Sequence, residues 1–190
     1  MNGSTPSSSR GASETSSVAK VIHYHRDASG KTAMRRKTWS APMRWLYSAG
    51  LFHRPGAKVL DYGCGHGADV VALREHQVDA IGFDPVHSPE GGAHQAGQFD
   101  IVTCHYVLNT LPSTAERMFV IDGMLAALKP GGRGFVTVRR DVRQAGWTSK
   151  GTYQDGSVQV AKEIAVAHNV GCAAVHRTTA FEIYSFTKPL

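Results

Sequence analysis

The glycine-rich stretch at residues 59–67 (VLDYGCGHG) has the composition of a ligand-binding loop. Glycine recurs at Gly63, Gly65 and Gly67, and Asp61 stands two residues before the first of them. A run of glycines is entropically unfavourable, so it usually answers a need for positive φ or for close approach of a ligand. Apolar residues before the loop indicate a buried strand, and the residues after it suit a helix. A strand, a glycine turn and a helix N-terminus predict a site for a nucleotide-like ligand.

Two cofactors fit a glycine loop of this kind. Residues 63–68 (GCGHGA) satisfy the dinucleotide pattern G-x-G-x-x-G/A, with Asp84 about twenty residues further on. A carboxylate at Asp61 would repel a pyrophosphate, whereas it would attract the ammonium group of S-adenosylmethionine. Asp84 closes the next predicted strand, where its two oxygens can accept hydrogen bonds from both ribose hydroxyls of an adenosine. The two acids therefore favour S-adenosylmethionine over a nicotinamide cofactor.

Strand and helix patterns alternate around these residues. We predict a helix at 68–76, directly after the glycine loop, with Val70, Val71 and Leu73 facing inward. The alternation predicts an α/β fold with a mostly parallel sheet and helices on both faces. The predicted strands cover residues 58–62, 79–84, 99–106 and 133–139, with a closing pair at 173–176 and 181–186.

Two further helices are predicted from their start signals. Ser40 followed by Pro42 suits the start of a helix that precedes the first buried strand. The segment 113–116 (STAE) is a capping box, and the segment 128–132 (LKPGG) ends the helix that it opens. The predicted apolar stripe of that second helix consists of Met118, Ile121, Leu125 and Leu128.

Three of these segments, VLDYGCGHG, FDIVTCHYVLNTLP and LKPGGRGFVTV, resemble the class I S-adenosylmethionine-dependent methyltransferases. The resemblance covers about residues 57–140 and implies the Rossmann-like fold of that class. It implies that Asp61, Gly63 and Gly65 hold the methionine end of the cofactor and that Asp84 holds the ribose. The cofactor site that we predict comprises Asp61, Tyr62, Gly63, Cys64, Gly65, Asp84 and Pro85.

One segment departs from the family pattern. Residues 85–99 (PVHSPEGGAHQAGQF) replace a region where the family usually carries a helix and a further strand. Because this segment is too short for both, we predict that the sheet is trimmed after the second strand. The residues that contact the adenine are therefore left unassigned.

The end of the third strand offers the catalytic candidates. His105 lies at the C-terminal end of that strand, where open α/β sheets place their active sites. We predict His105 as a general base for an oxygen or nitrogen nucleophile, the alternative being a histidine that packs in the cleft. Asn109 is predicted to orient substrate or cofactor, or else to cap the following loop. Alignment of nucleophile and methyl group can be sufficient for transfer, so activity does not require the base.

Charge is unevenly distributed along the chain. Residues 20–58 contain nine basic residues and one acidic residue, whereas residues 59–132 contain three basic and nine acidic ones. Two basic segments that flank an acidic centre could form a positive rim that attracts a phosphate-bearing partner, the alternative being a solvated surface. Trp147 is a candidate to stack on a base. The predicted nucleic-acid or substrate contacts are Lys31, Arg35, Arg36, Arg139, Arg140, Arg143 and Trp147.

A narrower resemblance concerns the acceptor. The segments KTAMRRKTWSAPMRWLYSAGL, FDPVHSP and YVLNTLP resemble small bacterial and phage methyltransferases, including those associated with DNA phosphorothioation. This resemblance implies a setting near DNA modification. We therefore predict methyl transfer to a nucleic-acid or nucleotide-like acceptor. A small-molecule acceptor, or a non-catalytic subunit that binds the cofactor or nucleic acid, is the alternative.

Composition sets the remaining expectations. The 190 residues are 42% hydrophobic and 19% charged, with a net charge of +6, which fits one methyltransferase domain at 18–190 after a disordered Ser-rich tail at 1–17. The three cysteines are scattered, which favours a reducing compartment, and we predict a cytoplasmic protein. No signal peptide, membrane span or metal site is predicted.

Overall fold

A six-stranded mixed sheet organises the chain in a computed structural model, which describes residues 28–89, 96–156 and 170–190. The tail predicted at 1–17 lies outside these residues. The first four strands pair in parallel and the last two pair antiparallel, in the order β2-β1-β3-β4-β8-β7. The strands of this sheet are β1 (Lys58–Tyr62), β2 (Asp79–Phe83), β3 (Phe99–His105), β4 (Leu128–Arg139), β7 (Cys172–Arg177) and β8 (Phe181–Thr187).

A short hairpin and four helical segments complete the described fold. The hairpin pairs two-residue strands and stands between β4 and β7. The hairpin strands are β5 (Gly146–Trp147) and β6 (Tyr153–Gln154). The helices are α1 (Ala41–Ser48), α2 (Ala68–Glu75) and α3 (Thr114–Ala127), and a 3₁₀ turn covers Leu108–Thr110.

The predicted helix starts are confirmed. The Ser40 hydroxyl accepts a hydrogen bond from the Met43 amide at 3.2 Å and caps α1. Ser113 and Glu116 form the reciprocal capping box that opens α3, since each side chain accepts from the backbone amide of the other residue. These local signals were sufficient because a cap involves only residues within one helical turn.

Two predictions about buried faces were correct only in part. Val70 and Leu73 of α2 are buried as predicted, but Val71, which was also expected to face inward, is 55% exposed. Of the stripe predicted for α3, Ile121 and Leu128 are fully buried, but Met124 is fully buried as well, whereas Met118 and Leu125 are only partly buried. Helical positions one residue apart differ by about 100°, so a small error of phase moves a side chain from the core to the surface.

The sheet is trimmed beside β2, as the sequence predicted. Within the described residues β2 pairs only with β1, and the residues after it form a single bridge between Asp84 and Ser88. Helices cover both faces of the sheet. Leu60 packs in a core with α3, whereas the adjacent Val59 packs in a second core with α1 and α2. In the described ranges no helix is both long and apolar enough to span a membrane.

Candidate active site

The glycine loop joins β1 to α2 in a conformation that only glycine adopts easily. The φ angles are +82° at Gly63, +54° at Gly65 and +78° at Gly67, all in the left-handed region. The end of β2 holds the loop in place, because the amides of Gly63 and Cys64 both donate to the Phe83 carbonyl, at 2.6 and 3.1 Å. Hydrogen bonds to the end of β2 therefore hold the loop in this conformation.

A cavity of about 1140 Å³ opens above this loop at the C-terminal ends of the parallel strands. Sites for one small ligand usually measure about 300–1,000 Å³, so this cavity has room for a cofactor together with a small acceptor. The structure brings all of the predicted cofactor residues to the cavity lining, and His105 and Asn109 line it as well. The cofactor residues found there are Asp61, Tyr62, Gly63, Cys64, Gly65, Asp84 and Pro85.

Asp61 is a buried carboxyl group that faces the cavity. It is 3% exposed, and its Oδ1 accepts a hydrogen bond from the Thr103 hydroxyl at 2.9 Å. Burial, together with the nearby charge of Asp69, raises the pKa of Asp61 to about 8. A cation bound beside this carboxyl would stabilise its ionised form and so lower its pKa. The residue therefore fits the ammonium end of S-adenosylmethionine.

Asp69 was not among the predicted site residues. It lies in the first turn of α2, is 5% exposed, and its Oδ1 accepts a hydrogen bond from the Ser40 amide. Its Oδ2 lies 3.7 Å from Nη1 of Arg36. The position of Asp69 could have been noticed in the sequence, because acidic residues are favoured in the first turn of a helix. Its pairing with Arg36 could not be predicted, because the two residues meet only when the chain before α1 folds over α2.

Asp84 organises the loop as well as facing the cavity. Its Oδ2 accepts from the Gly65 amide at 3.1 Å, and its Oδ1 accepts from the amides of Val86 and His87 at 2.9 Å each. A carboxylate oxygen can accept two hydrogen bonds, so Oδ2 retains one position for a ribose hydroxyl. The sequence-based assignment of Asp84 to the ribose remains a prediction. In the structure the same side chain also holds the backbone of the loops on either side of it.

Replacing Asp84 with asparagine is expected to weaken S-adenosylmethionine binding by about 10- to 100-fold and to lower the free energy of unfolding by about 1–2 kcal/mol. The amide nitrogen of asparagine cannot accept from the backbone amides, so one side of the loop loses its partner. Isothermal titration calorimetry and denaturant unfolding measure the two effects.

Asp100→Asn is the matched control for Asp84→Asn. Asp100 is 8% exposed and is held by the Lys58 amide at 3.0 Å and the Lys129 ammonium at 2.7 Å, but it lies outside the cavity lining. The control should lose stability and keep its affinity for the cofactor. Unchanged affinity in Asp84→Asn would contradict the assignment of Asp84 to the ribose.

His105 ends β3 and lines the cavity. The residue is 8% exposed, and Nδ1 lies 2.8 Å from Oγ1 of Thr137 on β4. Nε2 is buried and has no hydrogen-bond partner among the described residues. Burial lowers the pKa of His105 to about 4, with Asp69 opposing and Arg36 adding to the shift. The imidazole is therefore neutral at physiological pH and gains a proton only below about pH 4.

Asn109 places a second unpartnered polar atom in the same lining. It is 4% exposed, and its Oδ1 is buried without a partner in the described part of the chain. Its backbone carbonyl accepts from the Asp155 amide at 2.8 Å, so the turn is tied to the β5–β6 hairpin. Arg117 reinforces this junction by donating to the Leu111 carbonyl and the Asp155 carboxylate, at 2.9 Å each. Sequence analysis did not identify Arg117 or Asp155.

Tyr106 follows His105 in a backbone conformation that is rare for a tyrosine. Its φ is +62°, and its amide donates to the Thr137 carbonyl at 2.9 Å. Non-glycine residues at positive φ are strained and are concentrated at functional sites. Tyr106 lines the cavity, and burial raises its pKa to about 12, so its hydroxyl stays protonated. The sequence contained no signal for this conformation.

The predicted acceptor contacts are divided by the structure. Lys31, Arg36 and Arg139 line the cavity, whereas the other four predicted contacts lie outside its lining. The residues outside it are Arg35, Arg140, Arg143 and Trp147.

Two of the predicted contacts, Arg139 and Arg140, form ion pairs with acidic residues. Arg139 forms a two-bond contact with Asp141, at 2.8 and 3.0 Å, and Nε of Arg140 lies 3.5 Å from Oε2 of the buried Glu182. A charge that is paired within the protein contributes less to a positive rim.

Comparison with known proteins agrees with this geometry. A family model described as a methyltransferase domain matches residues 34–168. The fold is that of the class I S-adenosylmethionine-dependent methyltransferases. The chain belongs to this methyltransferase family, whose methyl donor is S-adenosylmethionine, so the predicted class, fold and cofactor are confirmed.

Curated relatives include ubiquinone biosynthesis O-methyltransferases. The protein from Xanthomonas axonopodis pv. citri (strain 306) is 30% identical in an alignment of length 154, and the match covers 63% of this chain and 63% of the relative. The protein from Idiomarina loihiensis is 30% identical in an alignment of length 143, and the match covers 57% of this chain and 56% of the relative. The chain therefore matches less than two thirds of the length of these relatives. They give no support to the narrower resemblance to phosphorothioation-associated enzymes.

Solved structures show the same fold at low sequence identity. Burkholderia thailandensis 1,6-didemethyltoxoflavin-N1-methyltransferase, with bound 1,6-didemethyltoxoflavin and S-adenosylhomocysteine, superposes with a TM-score of 0.62 at 18% identity, covering 99% of this chain and 94% of that one. The magnesium protoporphyrin IX methyltransferase of Synechocystis PCC 6803 with bound S-adenosylmethionine gives a TM-score of 0.52 at 17% identity, covering 98% and 86%.

Proposed function

We propose that this chain transfers a methyl group from S-adenosylmethionine to an oxygen or nitrogen atom of a small-molecule acceptor. The observation that carries the proposal is that the glycine loop, His105 and Asn109 line the same cavity, and that each of these two side chains has a buried polar atom without a partner among the described residues. A buried polar atom without a hydrogen-bond partner is rare in proteins, and a bound acceptor could supply the missing hydrogen bond.

The residues divide the work between cofactor and acceptor. The bound cofactor supplies an electrophilic methyl group on a positively charged sulfur. Asp61 and Asp84 face the charged and hydroxylated ends of that molecule, and the glycine loop allows close backbone approach. His105 and Asn109 contact the acceptor and hold its reactive atom in line with the methyl group. Positioning of this kind can supply much of the rate enhancement in a transfer between two bound molecules.

A small acceptor fits better than nucleic acid for two reasons. The relatives quoted above are named for ubiquinone biosynthesis, and the quoted solved structure with the highest TM-score is named for 1,6-didemethyltoxoflavin, which is a small molecule. In addition, Arg139 and Arg140 of the predicted basic rim contact Asp141 and Glu182, which reduces the charge available for a phosphate backbone. Both observations favour a small-molecule acceptor over nucleic acid.

The proposal is tested in two stages with the purified chain. Calorimetric titration with S-adenosylmethionine, S-adenosylhomocysteine and NAD should show binding of the first two and not the third. Transfer of labelled methyl groups is then measured on panels of phenols, carboxylic acids and nitrogen heterocycles, with random DNA and RNA as comparison substrates. Binding of NAD alone would overturn the proposal, and so would salt-sensitive transfer that is confined to DNA or RNA.

A further inference from the structure

His105 and Thr137 form an isolated polar pair between two neighbouring strands. They are register partners on β3 and β4, and Nδ1 of His105 lies 2.8 Å from Oγ1 of Thr137. Thr137 is 0% exposed and His105 is 8% exposed. At this distance one atom donates a hydrogen and the other accepts it. Which one donates decides whether the opposite nitrogen, Nε2, carries a hydrogen or a lone pair.

Counting hydrogens separates the two arrangements. The Thr137 hydroxyl makes no other hydrogen bond within the described residues, and Nε2 of His105 makes none. If Nδ1–H donated to Thr137, the hydroxyl hydrogen and the Nε2 lone pair would both be buried without partners. If the hydroxyl donates to Nδ1, the Nε2–H group alone lacks a partner. A buried polar group without a partner is destabilising, so the second arrangement is favoured.

We infer that Thr137 is a positioning residue that holds His105 in the Nε2–H form, so that neither ring nitrogen has a lone pair free to act as a base. The sequence-based expectation of a general base is replaced by this role. The neighbouring hydrogen bond is what selects the protonated nitrogen of a neutral histidine. The low pKa of His105 is consistent with an imidazole that stays neutral while it donates.

The inference rests on the proposed function and narrows its acceptor class. A donor at Nε2 cannot take a proton from the acceptor, so the acceptor must carry a nucleophilic atom with a free lone pair at neutral pH. Carboxylates, acidic phenols that are already ionised, and unprotonated amines or ring nitrogens meet this condition. In the transfer, that lone pair forms the new bond to the methyl carbon, and the electron pair of the breaking carbon–sulfur bond stays on sulfur. A carboxylate or phenolate becomes a neutral ester or ether, and an amine becomes an ammonium ion that can release its proton to water, so no proton has to pass to His105.

The test reads the protonated nitrogen directly and needs no acceptor. Protein labelled with ¹⁵N-histidine is saturated with S-adenosylhomocysteine at pH 7, and long-range ¹H–¹⁵N correlation spectra assign the tautomer. A His105→Gln spectrum identifies the His105 signals. We expect Nε2 to carry the proton in the unaltered protein. In Thr137→Val, which keeps the shape but removes the hydroxyl, the ratio of the two tautomers should change by about five- to tenfold towards Nδ1–H.

Thr137→Ser is the matched control, because it restores the hydroxyl and should restore the original tautomer. A proton on Nδ1 in the unaltered protein overturns the inference, and so does an unchanged ratio in folded Thr137→Val. If that variant does not fold, the tautomer of the unaltered protein decides alone. Failure of the proposed function would appear separately, as absent cofactor binding or absent methyl transfer.

Discussion

Asp61→Asn is expected to reduce the affinity for S-adenosylmethionine by about 100-fold, because the variant lacks the buried carboxylate predicted to offset the cofactor's ammonium group. Asp61 is 3% exposed, with a single hydroxyl donor, Thr103. Its pKa of about 8 means that most of the group is protonated at pH 7 in the free protein. Binding of a cation should lower that pKa, so cofactor binding at pH 7 should release a proton.

The proton release is measured by calorimetric titration at pH 7 in two buffers of different ionisation enthalpy. The observed enthalpy should depend on the buffer for the unaltered protein and not for Asp61→Asn. Asp79→Asn, at the exposed first position of β2, is the control and should behave like the unaltered protein. Buffer-independent enthalpy in the unaltered protein would count against a protonated Asp61.

The same substitution should stabilise the protein without ligand. Because the folded state raises the pKa of Asp61 from 3.8 to about 8, the folded state binds more protons between those values. The contribution of this group to stability is therefore fully present below about pH 4 and is lost as the pH rises through about 8. The asparagine side chain of the variant carries no charge at any pH, so Asp61→Asn should raise the unfolding free energy by about 1–3 kcal/mol at pH 9. Denaturant unfolding at pH 5 and pH 9 should show the gain mainly at pH 9.

Gly63→Ala is expected to lower the unfolding free energy by about 2–4 kcal/mol, the sum of backbone strain and a steric overlap. Gly63 has a φ of +82°, and a Cβ atom added there would lie 2.3 Å from Cγ2 of Val107. The loop would have to move, and cofactor affinity should fall with it. Thermal or denaturant unfolding measures the first effect and calorimetric titration the second.

Two further variants separate strain from overlap. Gly67→Ala has a similar φ of +78° with no atom within 4 Å of the added Cβ, so it should lose only about 1 kcal/mol. Adding Val107→Ala to Gly63→Ala removes the overlap but not the strain, so the double variant should lose less than the two single losses added together. Equal losses for Gly63→Ala and Gly67→Ala would show that Val107 exerts no steric effect.

The glycine-loop side of the cavity could be predicted because its residues are close in sequence. Asp61, the three glycines and the start of α2 occupy one strand–loop–helix unit, and Asp84 ends the next strand. Hydrophobic pattern and glycine spacing are sufficient to identify such a unit. The same reasoning identified the strand ends that carry His105.

The side of the cavity that is lined by His105 and Asn109 could not be predicted, because its contacts join segments that are distant in sequence. Thr137 meets His105 only through the register of β3 and β4, and Asp155 meets Arg117 only after the hairpin folds back onto α3. Single-sequence patterns carry no information about such register. The basic rim stays a prediction, and charges counted along the chain do not reveal that Arg139 contacts Asp141.

The attachment of the β5–β6 hairpin has a consequence for engineering. The hairpin supplies Thr152, Tyr153 and Gln154 to the cavity, and it is tied to the body through Asp155, whereas His105 and Thr137 belong to the central sheet. A graft that replaces residues 146–154 and keeps Asp155 would therefore exchange one wall and leave the central pair unaltered. Residues 146–154 could therefore be varied in a library of variants, while the central sheet and the glycine loop are kept constant.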